Sequence, residues 1–264
     1  MLNKVLDISL PAIMKAQYVL PFLLLIGTCD AVGQSNVRDS SIFMTMVSPS
    51  YAYQIPGGNM AERFGHNSNM GLSVTVKRPS NLLLGFHGTF IFGDNVHEPN
   101  LGHGLINEDG TITDVFGEPA EILLFERGWT ATFEIGKIIP NIGPNPNSGI
   151  MLKLGVGYMQ HKIRIEHQTS EVPQIEGDYI KGYDRLTGGP LLTEFIGYQY
   201  LGTAKFANFF FGFEFMQGLT TDLRSYNIDT QQRDSGARLD MLSGFRFGWT
   251  LPIYKRAPAD IYIY

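Results

Sequence analysis

Ionisable side chains recur along this chain at positions set among glycine, serine and threonine. By type and surroundings, Lys77, His87, Glu134, Lys153, Glu194, Glu214 and Arg246 are the residues best suited to chemistry. Two lysines and an arginine balance three glutamates, and His87 adds a group that titrates near neutrality. Gathered in one poorly solvated space, these groups have three uses. They can neutralise one another in a hydrogen-bonded network, line a narrow polar path for a small solute, or supply general acid–base catalysis. Unpaired ions away from water are costly, so the balance favours a structural network. No cofactor-binding motif and no metal-ligand set accompany these residues.

Two further constellations compete with them. Residues 94–125 carry Asp94, Glu98, Glu108, Asp109, Asp114, Glu118 and Glu121 with no lysine or arginine. Carboxylates spaced by one residue, as around Asn107 to Asp114, can converge on a hard cation. Leu105 and Phe116, however, stand where an EF-hand loop needs oxygen ligands. Asp109-Gly110 between Ile106 and Ile112 is better read as a hairpin turn. The second constellation is histidine: His97 beside Glu98, His103, then His161 and His167 with Glu166. Near a rim, imidazole with a carboxylate and a hydroxyl would serve as a general base.

The elements that must position these groups are strands. Met70, Leu72, Val74 and Val76 alternate with Gly71, Ser73, Thr75 and Lys77. Trp129, Ala131, Phe133 and Ile135 oppose Thr130, Thr132 and Glu134, and Phe209, Phe211, Phe213 and Phe215 oppose Gly212 and Glu214. Leu152, Leu154, Val156 and Tyr158 face away from Lys153, while Phe245, Phe247 and Trp249 oppose Arg246. A period of two over this many segments means strands with two unlike faces. Eight are expected, near 41–54, 68–78, 82–93, 126–139, 150–168, 190–201, 207–221 and 239–253. In 190–201 the parity changes around Gly197, which suggests a bulge. Glu194 joins the charged set only if its parity points the same way. The links run long, short, long in alternation, as in an up-and-down barrel with all long loops at one end.

The more polar face decides what surrounds the barrel. A soluble barrel would need many charges there, but only isolated ions punctuate Gly, Ser and Thr, while the other face is almost wholly apolar. Such a chain suits a barrel whose greasy face meets lipid. Composition agrees: of 264 residues, 17% are charged, against 30 glycines, 18 phenylalanines and 12 tyrosines. A net charge of -5 offers no basic patch for nucleic acid. Met14-Lys15, the apolar run Tyr18–Gly27 and the small residues Ala31-Val32-Gly33 read as a secretory signal. The expected division is therefore 1–33 signal peptide, with Met14 a second candidate start, 34–254 barrel, and 255–264 a periplasmic tail. Cys29 offers a lipidation site that the bulky Thr28 before it disfavours.

Over residues 40–254 the pattern resembles the small outer-membrane barrels typified by OmpX and the OmpA membrane domain. Segments Lys181 to Thr187 (KGYDRLT) and Phe211 to Gly218 (FGFEFMQG) also look like an uncharacterised family of Bacteroidota envelope proteins. The resemblance implies an all-β, eight-stranded antiparallel transmembrane barrel in the outer membrane of a Gram-negative cell. The expected role is non-enzymatic: structural or binding, through long extracellular loops, as an accessory of an envelope secretion or assembly complex. Expected partners are outer-membrane lipid and other envelope proteins. A rim enzyme acting on lipid or surface peptide and a narrow passive channel are the alternatives.

Overall fold

Alternation builds nine strand segments in the computed structural model, which describes residues 37–38, 40–167, 171–202 and 207–254. They are β1 (Met44–Gly58), β2 (Asn67–Lys77), β3 (Leu82–Gly93), β4 (Ile122–Ile139), β5 (Gly149–His167), β6 (Thr187–Tyr200), β7 (Phe209–Asp222), β8 (Arg238–Trp249) and β9 (Leu251–Ile253). The expected signal segment 1–33, with Met14 and Cys29, and the tail 255–264 lie outside the described residues.

From β1 to β8 each strand pairs antiparallel with the next, and β1 closes the ring by pairing with both β2 and β8. β9 continues β8 after a break at Thr250, whose N–H bonds Asn208 O at 2.8 Å. The register of β1 against β8 and β9 runs through that break without a slip, from Gly58↔Asp240 to Thr45↔Ile253. The architecture is thus an eight-stranded up-and-down barrel with no free edge, the closure that lets strands sit in hydrocarbon.

Its faces are inverted relative to a soluble protein. Leu72, Phe86, Phe133, Leu154 and Phe213 are each more than half exposed outward, whereas Glu134 is 5% and Arg246 1% exposed inside. β4 and β5 outrun the others, and their upper ends carry outward Arg127, Lys162, Arg164 and Glu166. A lipid-crossing strand needs only about 9–11 residues, so this hairpin projects beyond the belt. The strand pairing and the apolar belt make this a transmembrane barrel of the outer-membrane type.

Three expectations need correction. No bulge occurs at Gly197: β6 pairs with β5 in one register from Thr187 to Gln199. Second, β1 extends to Gly58, so its link to β2 shrinks to 59–66 and is no longer than the opposite-end link 140–148. The asymmetry of the ends therefore rests on the links 94–121, 168–186 and 223–237. Third, the interior is not filled by polar groups alone: apolar clusters share both ends with buried ions. Met44, Met46, Leu83, Ile138, Met151, Phe195 and Phe210 fill the lower end, while Met60, Phe64, Ile91, Met159, Leu191 and Leu242 fill the upper. Phe195 and Phe210 meet edge to face at 5.7 Å. Glycines make room for them: a Cβ on Gly212 would stand 2.8 Å from the Phe195 ring, and one on Gly248 2.1 Å from Phe210.

Candidate functional site

Each mid-lumen ion lies opposite a glycine on the neighbouring strand. Glu134 faces Gly155 and Lys153 faces Gly136; Glu214 faces Gly244 and Arg246 faces Gly212. Glycine leaves the volume that a long charged side chain needs to cross diagonally to its partner. Arg246 donates to both oxygens of Glu214, Nε to Oε1 at 2.8 Å and NH2 to Oε2 at 2.6 Å. It also donates to Ser50 Oγ at 2.9 Å and Asn69 Oδ1 at 2.8 Å, and Gln54 reaches Glu214 at 3.2 Å. Such a two-pronged pair fixes orientation as well as charge. Lys153 Nζ donates to Glu134 Oε2 at 2.8 Å, and His87 Nδ1 stands 3.3 Å from Oε1. Lys153 also lies 5.4 Å from the Phe195 and Phe210 rings, joining the polar layer to the apolar floor.

The other two expected members stand apart. Lys77 sits at the floor and donates to Ser41 Oγ, Ile42 O and Asn147 Oδ1 at 3.0, 3.2 and 2.8 Å, with no carboxylate among these partners. It ties the segment before β1 to the turn 140–148. Glu194 is outside the lumen altogether. Leu191, Thr193 and Phe195 point in, while Leu192, Glu194 and Ile196 point out. Large apolar inward residues such as Phe195 mimic a lipid-facing row, which is why parity alone misplaces Glu194.

A second buried constellation escapes strand parity because one member, Arg63, comes from the 59–66 link. Arg63 NH2 donates to Asp240 Oδ1 at 3.1 Å, His161 Nε2 lies 2.9 Å from Asp240 Oδ2, and the Thr220 hydroxyl donates to that same oxygen. Asn67 donates to the neighbouring Glu126 at 3.0 Å. Asp240 shares the parity of Arg246, a signal that points inward; nothing local to Arg63 does. Histidine, carboxylate and hydroxyl meet here, but both donors converge on one oxygen, so the imidazole does not face the hydroxyl. Both His161 and Asp240 side chains are fully buried, and the Phe64 ring packs edge-on against the imidazole at 5.6 Å. Enclosed and converging on one carboxylate, the arrangement suits a structural ion cluster. His97 is exposed, His103 lines a surface cleft and His167 lies 3.6 Å from Glu176.

Above the barrel, the upper links form a roof with its own apolar packing. Val96, Leu101, Leu105, Ile112, Val172, Ile175, Tyr183 and Ile228 belong to the same apolar cluster as Met60 and Phe64. Backbone bonds cross-tie the loops: His97 N–H to Arg63 O, Val115 N–H to Glu171 O, and Ile228 N–H to Gly182 O. Asn107 to Thr111 forms the turn, with Ile106 bridging Ile112 and Gly110 at φ 79°. The Asn107 side-chain oxygen accepts the N–H groups of Asp109 and Thr111 at 3.1 and 3.0 Å. Among the described residues, no group of three or more His, Cys, Asp or Glu is placed to hold a metal ion. A cleft of about 500 Å³ opens between loops, lined by Glu98, His103, Arg185, Asp229, Asp234 and Arg238. Burial pushes the Glu98 carboxyl up from its ordinary value, against the opposing pull of Arg63, Arg185 and Arg238. Burial, reinforced by Asp229, likewise raises the Tyr183 phenol.

No protein-family model matches the chain, and no curated protein matches it. Among solved structures, the barrel is similar to Ail, the attachment invasion locus protein of Yersinia pestis. In its complex with the heparin analogue sucrose octasulfate, Ail is 8% identical, with 80% of this chain and 99% of that chain covered at a TM-score of 0.41. The N-terminal β-barrel domain of Pseudomonas aeruginosa OprF is 9% identical, covering 78% and 97%, at 0.34. The fold described above rests on this chain's own strand pairing.

Proposed function

We propose that this outer-membrane barrel is a non-enzymatic binding subunit, an accessory of a larger envelope secretion or assembly complex that it meets through its roof. The observation that carries this reading is exposed apolar surface on loops that are themselves well packed. Phe116 is 79% and Tyr179 67% exposed, with Val115, Leu223 and Tyr226 also open. Tyr179, Leu223 and Tyr226 flank one cleft of about 420 Å³. Exposed aromatic and aliphatic side chains on a preorganised scaffold suit protein recognition, since little loop freedom remains to be lost on binding. Lipid is then the solvent of the belt, and the lumen is packing.

The test is affinity purification from mild detergent, comparing wild type with Phe116→Ser and Tyr179→Ser. The same envelope protein should be recovered in fixed ratio with the wild type and lost with the variants. Recovery of monomer alone under repeated conditions, or capture indifferent to both substitutions, would refute the roof as a docking face.

A further inference from the structure

Glu194 is a carboxylate on the lipid-facing surface, near the middle of the belt. On β6 it lies four residues from Pro190, which pairs with Tyr158 beside Trp129 in the upper aromatic girdle. In the other direction it lies four residues from Tyr198, which stacks near Phe211 in the lower girdle. At ~3.3 Å per residue, each girdle is about 13 Å away along the strand. Two methylenes do not carry a carboxylate that far. Its paired neighbours are Leu154 on β5 and Phe215 on β7, and Leu192 and Ile196 flank it on β6; all four point outward. Glu194 makes no hydrogen bond or ion pair among the described residues. The outward cation nearest in the register is Lys137 on β4, two strands away at the level of Ile196.

Glu194 is not the only polar group in this patch. Gln217 pairs with Leu192, and Ser243 pairs with Phe215, so Glu194, Gln217 and Ser243 surround Phe215 on the outer face of β6–β8. Around them the belt turns aromatic. Phe211 and Phe213 both contact Phe245, at ring distances of 6.3 and 5.7 Å, and Phe209 stacks on Phe247 at 6.3 Å. On the opposite side, β2 presents Met70, Leu72, Val74 and Val76 and nothing polar at that depth. Aromatics also line the outer face of β3 and β4, but the β6–β8 side adds Glu194, Gln217 and Ser243 around one of its rings, and aromatics with a few placed polar groups are the composition of protein interfaces.

We propose that the β6–β8 face is a lateral contact surface, within the bilayer, for a different integral outer-membrane protein that presents a basic side chain at mid-depth. This deepens, and rests on, the reading of the barrel as a subunit of an envelope assembly. An acid in hydrocarbon is costly alone and is strongly attracted to a base there. A second copy of this chain docking through the same face would set Glu194 against Glu194, a like-charge contact. The partner is therefore heterologous and cationic, with Gln217 and Ser243 as accessory donors.

Photoreactive side chains placed in native membranes test this at three positions: Phe213 beside Glu194, Leu72 on the opposite belt, and Val115 in the roof. A defined cross-link to another integral protein is expected at 213 and lipid only at 72. Glu194→Leu should lower the 213 product about tenfold, the loss of one modest ion pair, and Glu194→Lys should abolish it. Glu194→Gln replaces the leucine variant if that variant loses the heat-modifiable gel migration of a folded barrel. Equal behaviour at 213 and 72, a cross-link to this same chain, or indifference to the charge at 194 would overturn the proposal. A product at 115 without one at 213 overturns the lateral contact and leaves the roof reading standing. No product at either position overturns both.

Discussion

Removing the guanidinium from the lumen is the sharpest test of what the interior ions do. Arg246→Met keeps much of the volume but leaves the buried Glu214 carboxylate with Gln54, at 3.2 Å, as its remaining side-chain donor. Stripping one partner from a buried ion pair costs about 3–5 kcal/mol, most of it the uncompensated charge. Glu214→Leu is expected to cost a similar amount, because Ser50 and Asn69 hydrogen-bond Arg246 without neutralising it. The two single losses then sum to roughly 8 kcal/mol if each is near the middle of that range. In the double variant no stranded charge remains, and the destabilisation should fall to about 1 kcal/mol. Reversible urea unfolding in lipid vesicles reads this directly. Trp129 and Trp249 lie on the outer face and report insertion by fluorescence. Additive losses, or single losses below about 1 kcal/mol, would refute the claim that the pair is a desolvated, mutually dependent unit.

Two further outcomes follow from the ends of the barrel. The apolar floor around Phe195 and Phe210 and the roof packing on Phe64 predict a silent trace in planar bilayers, and stepwise conductance by the wild type would refute the seal. At the roof, the raised Glu98 carboxyl binds its proton more readily folded than unfolded. Its stabilising contribution is present below the ordinary carboxylate range and is lost as pH rises through the raised value. Hydrogen-exchange protection at Gly102 and Leu105, corrected for intrinsic rates, should therefore fall with rising pH more in wild type than in Glu98→Gln, and equal slopes would contradict the assignment.

What was legible in the sequence follows from how far a residue's environment is fixed by its own strand. The mid-lumen ions were legible because the barrel repeats one local device there. Gly212-x-Glu214, Gly244-x-Arg246, Lys153-x-Gly155 and Glu134-x-Gly136 place an ion and a glycine on the same face two residues apart. Antiparallel pairing then sets each ion beside the neighbouring strand's glycine, which is the space the diagonal ion pair occupies. The roof was not legible, because Arg63, Glu98 and Arg185 sit in links whose course depends on contacts with other links. Nor were the apolar floor and upper plug, since Leu83, Phe210 and Leu242 are indistinguishable by type from lipid-facing residues.

Glu194 shows where the parity argument breaks, and why the break is informative. Pattern reading assumes that polar means inward in a membrane barrel, an assumption that holds when lipid is the sole neighbour outside. Two opposite exceptions sit side by side on β6: Phe195 is apolar and buried in the floor, and Glu194 is acidic and faces out. The first is explained inside the barrel by Gly197 and Gly212, over which the Phe195 ring lies. The second finds no compensating group among the described residues. A residue that breaks a local rule without a local compensation is expected at a site where something else supplies it. For a carboxylate fixed in the middle of an aromatic belt, a cationic group on a neighbouring protein would supply the compensation that hydrocarbon does not.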